Sequence, residues 1–298
     1  MSGLLKSPLP RGEGWVRVFA PGTHPSLVKD LPRLTLLTLA AAIVLAPYAF
    51  MLSASVKPGG EIFQASLNLW PQRFYGWENY KKALTAVPLL RFLLNGAIVC
   101  AALLVLQLLF AVPCAYALAK LRWPGRNIVF AIVLLGLLIP AHVPALPLYV
   151  ALAKLGLLDT YAALAAPFAV SVFAIFMFRQ AFKSLPDELI QAARLDGIAE
   201  LGIVWRVILP NAWPTATAFA TFSIVAHWND LFWPLIVIQT QSMATPALGV
   251  LFFRAEEGGN DIGALMAASV ITTAPMVAAF LLAQRRFIQG VATAGLKG

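Results

Sequence analysis

Charged side chains are scarce in this chain. Only 12% of its 298 residues are Asp, Glu, Lys or Arg, whereas 60% are hydrophobic, and the mean hydropathy is +0.80. A soluble domain carries roughly a quarter charged residues, so this composition excludes water as the main solvent of the surface. Because about 20 apolar residues span a bilayer, the chain has room for several spans and modest loops but for no large soluble domain.

Residues that carry metal, nucleotide or covalent chemistry are also few. The two cysteines, Cys100 and Cys114, stand in one apolar run and are expected to be buried structural residues. The three histidines, His24, His142 and His227, are far apart and predict no metal site. The sequence contains no Gly-x-x-x-x-Gly-Lys-Ser/Thr phosphate loop, no His-Glu-x-x-His and no Gly-x-Ser-x-Gly. We therefore expect no catalytic site, no cofactor and no ATP binding by this chain.

Six apolar runs dominate the sequence and predict an all-α, polytopic membrane protein. Residues 1–33 are expected to form a cytoplasmic segment without a secretory signal, residues 34–283 a six-helix domain and residues 284–298 a cytoplasmic tail. The predicted spans are Leu34–Ser53, Leu89–Leu118, Ile128–Tyr149, Tyr161–Phe178, Thr215–Ile238 and Ile262–Ala283. Three prolines between Pro140 and Pro147 predict a kink or an early end in the third span.

The distribution of Lys and Arg predicts the orientation of these spans. With both termini in the cytoplasm, roughly two thirds of the 22 basic residues lie on the inner side, in agreement with the positive-inside rule. This orientation places loop 54–88 outside and loop 181–214 inside. The net charge of +9 is then explained by topology, and no nucleic-acid partner is expected.

The first outer loop, residues 54–88, is rich in aromatic residues. Within eleven positions it holds Trp70, Phe74, Tyr75, Trp77 and Tyr80. Amphipathic aromatic side chains concentrate at the membrane–water interface. Two compatible interpretations stay open: a belt that contacts membrane lipid, and a docking surface for an external partner.

Residues 184–210, here named the elbow, form a polar, helix-forming segment between two long apolar runs. Ser184 or Asp187 is expected to cap a first helix, and Gly197 permits the left-handed turn that ends it. A second short helix is expected to close at Leu209-Pro210. The elbow is predicted to be a helix–turn–helix that either docks a partner or lies on lipid.

The elbow also carries a specific spacing. Gln191-Ala192-Ala193 is followed by three residues and Gly197, then by nine residues, Val207, one residue and Leu209-Pro210. This segment resembles the cytoplasmic signature of ATP-binding-cassette (ABC) importer permeases, which has Glu-Ala-Ala, three residues, Gly, nine residues, Ile, one residue and Leu-Pro. Two positions depart from it, because Gln191 replaces Glu and Val207 replaces Ile.

The resemblance implies an ABC importer type I permease fold and an ATPase-coupling role for the elbow. The coupling residues are expected to be Glu188, Gln191, Ala192, Ala193, Asp196, Gly197, Leu209 and Pro210. The small Ala192 and Ala193 are expected to share the face that a partner approaches. Because Gln191 lacks the carboxylate of the signature, Glu188 or Asp196 is the candidate source of negative charge.

The resemblance covers about residues 34–298 and points to the carbohydrate branch of these permeases. The tail resembles the C-terminal extension of the maltose-type second permease subunit, which reaches into the ATPase dimer interface. The residues implied in that contact are Thr293, Ala294, Gly295, Leu296, Lys297 and Gly298. A frayed terminus is the alternative interpretation of this segment.

Polar residues interrupt the fifth predicted span at His227, Trp228, Asn229 and Asp230. A charge within a bilayer is costly and normally faces a cavity or a partner. These residues either line a substrate path, with Trp228 stacking on a sugar, or bond to neighbouring helices and fix their packing. Asn95 in the second predicted span has the same two interpretations.

The resemblance implies ATP-driven import of a sugar or oligosaccharide by an assembly of several subunits. The implied partners are a homologous second permease, a cytoplasmic ABC ATPase dimer and an extracytoplasmic solute-binding protein. One alternative is import of glycerol phosphate, which is disfavoured because the predicted spans contain no Lys or Arg except Arg91, at the outer end of the second. Another is a transporter driven by an ion gradient, which predicts inverted repeats and buried carboxylates, whereas Asp230 alone was found.

Overall fold

The computed structural model describes residues 27–63, 68–140, 142–255 and 261–295. All regular elements within these ranges are helical, which confirms the all-α fold. By internal contacts the chain divides into two compact units, residues 1–49 and residues 50–298. The α-helices are α1 (Leu27–Ser55), α2 (Gly59–Ile62), α3 (Gly76–Thr85), α4 (Leu89–Lys120), α5 (Arg126–Leu138), α6 (Ala145–Lys154), α7 (Tyr161–Ala165), α8 (Val172–Lys183), α9 (Glu188–Leu195), α10 (Glu200–Ile203), α11 (Leu209–Asn211), α12 (Trp213–Trp228), α13 (Phe232–Val237), α14 (Pro246–Ala255) and α15 (Ile262–Gly295).

Helix α1 contains the whole of the first predicted span. Its residues 31–55 are long and apolar enough to cross a membrane, and the side chains from Leu31 to Ala49 are exposed. An apolar surface of this length is suited to contact with lipid rather than with water.

Length and composition alone support fewer crossings than the six that were predicted. Three described helices pass this criterion, namely α4 and parts of α1 and α15. A fourth crossing is available if α7 and α8, which meet at an angle of 44°, form one broken span. The count of six spans therefore stays a prediction.

The third, fourth and fifth predicted spans are each divided into two helices. In the third, α5 ends at Leu138 before the group of prolines, so the predicted early end is confirmed. In the fourth, the Ser171 hydroxyl accepts a hydrogen bond from the Ala174 amide and starts α8 anew. In the fifth, Pro234 has no N–H to donate to the Asp230 carbonyl, and the helix breaks between Trp228 and Phe232.

Helix α4 is the scaffold of the second unit. Near its Lys120 end, Ala111, Val112 and Ala115 share a buried core with α8, the elbow and the start of α12. Near its Leu89 end, Leu89 and Phe92 share another core with α3, α14 and α15. These are the Lys120 end and the Leu89 end of α4.

Candidate functional site

The first helix of the elbow, α9, has one buried and one exposed side. Ile190 and Ala193 are buried in the core that includes α4 and α8, whereas Leu189 and Ala192 are exposed. The prediction that Ala192 and Ala193 share an outward face is wrong, because adjacent helical residues point about 100° apart. Only Ala192 is exposed, while Ala193 allows α9 to approach the chain's own core.

Gly197 ends α9 as predicted. Its φ is +74°, in the left-handed region, and its amide donates to the Arg194 carbonyl. The Ile198 amide donates to the Ala193 carbonyl, which completes a Schellman motif. Ile198 also packs against the core that contains Ala193. The turn is therefore fixed by backbone bonds on one side and by apolar contact on the other.

The start of α9 differs from the predicted capping. Asp187 occupies the N-cap position without a side-chain capping bond, and its carboxylate accepts from Lys120 Nζ at 2.5 Å. Ser184 instead closes α8, since its hydroxyl donates to the Ala181 carbonyl. Lys120 also donates to the Leu185 carbonyl at 2.6 Å. The hydrogen bond and charge of Lys120 lower the pKa of Asp187, so this carboxylate ties the elbow to α4.

The second half of the elbow contains a turn of π-helix at Val204–Ile208, between α10 and α11. The Leu209 amide donates to the Val204 carbonyl, five residues back. Pro210 follows, and a proline ring clashes with the carbonyl four residues before it, so the widened turn gives it room. Ile203, Val204 and Ile208 from this half are buried in the core at the Lys120 end of α4.

Glu200 joins the two halves of the elbow to α4. Its carboxylate accepts from Arg194 Nε at 2.7 Å and from the Tyr116 hydroxyl at 2.6 Å. The hydrogen bond from Arg194, followed by that from Tyr116, lowers the pKa of Glu200. The elbow is thus held as one body by contacts with α4 at both of its helices.

The opposite side of the elbow is an exposed surface with a large apolar component. Leu195 is 90% exposed and Leu201 is 65% exposed. The predicted coupling residues that are exposed are Glu188, Gln191, Ala192, Asp196, Gly197 and Pro210, while Leu209 is half-buried. The sequence analysis did not assign Leu195 or Leu201 to this surface. The sequence signal that was missed is their helical spacing, which places them on the face opposite the buried isoleucines.

A polar cavity of about 400 Å³ lies beside this surface. Its lining includes Gln191 and the basic side chains of Lys120, Arg122 and Arg194, together with Asp187. Lys120 is paired with Asp187 and Arg194 with Glu200, so Arg122 gives the surroundings of this cavity a net positive charge. Gln191, which stands where the signature has Glu, therefore lies in a basic environment.

A buried polar cluster lies in the middle of α4 and α12. Gln107 donates from Nε2 to the Phe168 carbonyl at 3.0 Å, and its Oε1 accepts from the Ser223 hydroxyl at 2.6 Å. Gln107 Nε2 is also 3.1 Å from His227 Nε2. Because the amide nitrogen is a donor, His227 Nε2 is the acceptor and its proton lies on Nδ1. Within this cluster, Gln107 provides the hydrogen-bond donor for the Phe168 carbonyl, which lies at the bend between α7 and α8.

Two further residues of the predicted substrate path bond to neighbouring elements. Trp228 is buried and donates from Nε1 to the Thr272 carbonyl of α15 at 3.1 Å. The Asn95 amide donates to the carbonyls of Ser242 and Ala244, and its oxygen accepts from the Tyr161 hydroxyl. In this conformation both side chains are occupied by interhelical contacts.

The break between α12 and α13 presents the other two predicted path residues. Asn229 is exposed and donates to the Val225 carbonyl of its own helix. Asp230 is half-buried and accepts from the Trp233 amide, which starts α13. The structure therefore brings these two polar side chains to the one place where the fifth predicted span is unwound.

The predicted tail lies partly outside the described residues. The backbone of α15 continues to Gly295 and so includes Thr293 and Ala294. Leu296, Lys297 and Gly298 lie beyond the described part of the chain.

The cysteines differ from each other. Cys100 is buried as expected, whereas Cys114 is half-buried.

In its described residues the chain combines helices long and apolar enough to cross a membrane with an elbow held against them, as a polytopic membrane protein does. The family model described as "Binding-protein-dependent transport system inner membrane component" matches residues 107–293. This match covers more than half of the chain, and the chain belongs to that family. The protein is thus a multi-pass membrane subunit of a binding-protein-dependent transport system.

Several relatives extend this likeness over most of the chain. The arabinooligosaccharides transport system permease protein AraQ of Halalkalibacterium halodurans is 35% identical over 261 residues, which cover 87% of this chain and 93% of AraQ. The sn-glycerol-3-phosphate transport system permease protein UgpE of Yersinia pestis is 31% identical over 263 residues, which cover 86% and 93%.

A solved structure has the same fold. It is the crystal structure of a bacterial ABC transporter involved in the import of the acidic polysaccharide alginate. One of its chains superimposes with a TM-score of 0.77 and covers 90% of this chain and 100% of its own length. At 23% identity this likeness supports the permease fold.

Proposed function

We propose that this chain is one permease subunit of an ATP-driven importer of a sugar or oligosaccharide. The observation that carries the proposal is the two-sided elbow. Ile190, Ile203 and Ile208 pack its inner side against the membrane helices, while Leu195 and Leu201 are exposed on the opposite side. An exposed apolar surface on a rigid element is suited to binding another protein. The ABC ATPase dimer of the transport system is the proposed partner.

The elbow transmits movement because it is joined to the helices by short hydrogen bonds and by a buried apolar core. Lys120 and Tyr116 of α4 bond to Asp187 and Glu200 of the elbow. When the ATPases close on ATP and displace the exposed surface, α4 and α8 are displaced with it. The bundle then changes between inward-facing and outward-facing states. The position of the elbow therefore depends both on the ATPase and on the solute path.

Electrostatics favour acidic groups on the part of the ATPase groove that faces Gln191. The cavity beside Gln191 contains the cations of Lys120, Arg122 and Arg194. Gln191 cannot form the salt bridge that a Glu would form, but its amide can donate to a carboxylate of the partner. Glu188 and Asp196 are exposed on the same elbow and supply the carboxylates for basic residues of the groove.

The solute path is proposed to pass the unwound segment between α12 and α13. Broken helices expose polar backbone groups where they line a cavity, and they mark substrate sites in other transporters. Asn229 and Asp230 of this segment face the path, while His227, Trp228 and Asn95 hold the surrounding helices in place. A sugar fits this set, since its hydroxyls bond to amide and carboxylate groups.

The relatives leave two solute classes to compare. AraQ supports an oligosaccharide, and UgpE supports sn-glycerol 3-phosphate as a second candidate. Transport of an anionic solute favours a basic side chain in the solute path. Arg179, one residue beyond the fourth predicted span, lies buried within α8. Its guanidinium is occupied by the Leu118 carbonyl and the Phe130 ring, so this structure favours the neutral solute.

The assembly is proposed to contain a homologous second permease and an extracytoplasmic solute-binding protein. Both termini of this chain then lie in the cytoplasm. Residues Thr293–Gly298 are proposed to reach the ATPase dimer interface. The family's dependence on a binding protein supports the external partner.

The proposal is tested by purifying the tagged chain from its native membrane with its partners and reconstituting the complex in liposomes. We expect an ATPase and a second permease to copurify. ATP-dependent uptake is expected with arabinooligosaccharide in the presence of the binding protein, and much weaker uptake with sn-glycerol 3-phosphate. The reverse order of the two solutes contradicts the solute assignment alone.

A different result contradicts the whole proposal. If the purified chain moves solute by itself, driven by a proton or sodium gradient and with no ATP hydrolysis, it is a secondary transporter. The exposed elbow then has no role in transmitting force.

A further inference from the structure

The connection between α1 and α4 has an inverted arrangement of polar and apolar side chains in its described parts, residues 56–63 and 68–88. Lys57 and Asn79 are 5% and 1% exposed. The exposed large apolar side chains are Phe63, Leu69, Trp70, Phe74, Trp77 and Leu84, of which Trp70 is 86% and Trp77 is 77% exposed. A connection surrounded by water has the opposite arrangement, so the solvent here is not water alone.

The buried polar groups hold the connection together without the aromatic side chains. The Asn79 amide donates to the carbonyls of Ser55 and Lys57 at 3.0 and 2.8 Å. Lys57 Nζ donates to the Asn68 carbonyl, and the Ser53 hydroxyl donates to the Leu69 carbonyl. None of these hydrogen bonds uses the aromatic side chains at 70, 74 and 77.

Helix α3 is fixed against the ends of two long apolar helices. Lys82 Nζ lies 2.6 Å from Asp261, which immediately precedes α15. A Cβ at Gly263 would lie 2.6 Å from the Asn79 amide nitrogen, so α3 and α15 touch closely. Ala83 is buried in the core with Leu89 at the start of α4. Since α4 and α15 are long enough to span the bilayer, α3 lies at its boundary.

Around its axis, α3 has three distinct sides. At about 100° per residue, the buried Gly76, Asn79 and Ala83 form one side. Trp77 and Leu84 lie about 20° apart on a second, apolar side, and Glu78 and Lys82 lie about 40° apart on a third, charged side. An amphipathic helix in the plane of an interface has this division.

We propose that residues 68–84 lie in the membrane–water interface and that phospholipid is the partner of Trp70, Phe74 and Trp77. Continuity with the exposed apolar surface of α4, a helix long enough to span the bilayer, supports lipid as the occupant, because Leu90 and Leu94, just beyond α3, are 66% and 58% exposed. The exposed Arg73 and Lys81 place cations beside the aromatic residues, where lipid phosphates lie. This interaction is independent of the identity of the solute.

The test measures the depth of matched positions in the assembled transporter. In a background with Cys100→Ala and Cys114→Ala, single cysteines replace Trp77 or Phe74, and Glu78 serves as the control on the charged side of the same helix. Each carries a spin label in the complex reconstituted in phosphatidylcholine–phosphatidylglycerol liposomes. We expect the labels at 74 and 77 to collide more with oxygen than with a water-soluble nickel chelate, and the label at 78 to show the reverse.

Two outcomes overturn the proposal. Equal exposure of the labels at 77 and 78 to the nickel chelate places α3 in water. Protection of the label at 77 from both reagents in the complex, or on adding the solute-binding protein, makes this surface a protein docking site.

A second measurement does not depend on cysteine variants. Tryptophan fluorescence of the complex is recorded in liposomes of brominated phosphatidylcholine, for the native chain and for a variant with Trp70→Phe and Trp77→Phe. We expect the double variant to lose part of the fluorescence that the bromines quench. An unchanged quenched intensity contradicts contact of these two residues with lipid.

Discussion

Single residues decide the geometry of the elbow through backbone conformation and charge. Gly197 adopts φ +74°, which costs a residue with a Cβ about 1–2 kcal/mol. Open space surrounds the position where its Cβ would lie, so the cost there is conformational rather than steric. Glu200 contributes in another way, since it accepts two hydrogen bonds from different helices.

Substitution of Gly197 by Ala is expected to reduce the free energy of unfolding by about 1–2 kcal/mol and to uncouple ATP hydrolysis from uptake. Gly156 is the matched control, because its φ is +66° and open space also surrounds it. The Gly156→Ala variant is expected to have a thermal stability similar to that of Gly197→Ala, but normal coupling of ATP hydrolysis to uptake. The measurements are the melting temperature and the ratio of ATP hydrolysed to solute transported. Normal coupling in Gly197→Ala contradicts a lever function for this turn.

The stability contributed by Glu200 is expected to depend on pH. Its pKa in the folded protein lies below the ordinary value of 4.5, so the contribution is present above that value and is lost as the pH falls through the folded pKa. A partly exposed pair is worth at most about 1 kcal/mol. We expect the native chain to melt higher than Glu200→Gln at pH 7 and the difference to shrink below about pH 4. A difference that grows on acidification is the contrary result.

At the scale of elements, the elbow separates buried residues that hold it from exposed residues that are proposed to contact a partner. Ile203 is fully buried, whereas Leu201, two positions earlier, is 65% exposed. Two aliphatic side chains on one short helix thus have different roles. The same separation applies to α12, where Trp228 is buried and the adjacent Asn229 is exposed.

Ile203→Ala is expected to lower the free energy of unfolding by about 2–5 kcal/mol, because it leaves a cavity in the core. Leu201→Ala is expected to change stability by less than about 0.5 kcal/mol. Leu201→Ala should instead weaken the association with the ATPase several-fold, which copurification at graded salt and protein concentration measures. If the Leu201 variant retains full ATPase binding, the exposed side of the elbow is not the docking surface.

Trp228 and Asn229 form a second matched pair. Trp228→Phe removes one buried hydrogen bond to Thr272 and is expected to lower the melting temperature while leaving the transport rate unchanged. Asn229→Ala is expected to slow transport several-fold at saturating binding protein and to leave stability unchanged. A slow but stable Trp228 variant reverses the two assignments and supports stacking of Trp228 on the solute.

The sequence predicted elements that depend on local signals better than contacts that depend on distant residues. Gly197 was predicted correctly because a left-handed turn needs a glycine in a recognisable place. The break in the fourth span was not predicted, because Ser171 is a short polar residue within an apolar run. The break in the fifth span was not predicted although Pro234 is a local signal for it. The bonds of Asn95 and Trp228 join residues far apart in sequence, and one sequence contains no local signal for them.

At the scale of the whole molecule, contacts among the connections support more crossings than helix length does. The Asp159 carboxylate, just before α7, accepts from the Gln239 and Thr240 amides after α13. Asn95, near the Leu89 end of α4, bonds to Ser242 in the same connection. The ends of α6 and α13 therefore lie toward the Leu89 end. The start of α12 is buried with the elbow at the Lys120 end.

These contacts imply that α5 with α6, α7 with α8, and α12 with α13 each traverse the bundle once as a broken helix. Together with α1, α4 and α15 this arrangement corresponds to six crossings, a count that stays a prediction. Single cysteines test this count in the cysteine-free background, at Thr85, Arg122, Lys154, Lys183 and Lys297. In spheroplasts, a membrane-impermeant maleimide is expected to label positions 85 and 154, whereas positions 122, 183 and 297 need permeabilisation. If Lys154 is labelled only after permeabilisation, α5 and α6 form a re-entrant hairpin, and the positive-inside distribution requires another explanation.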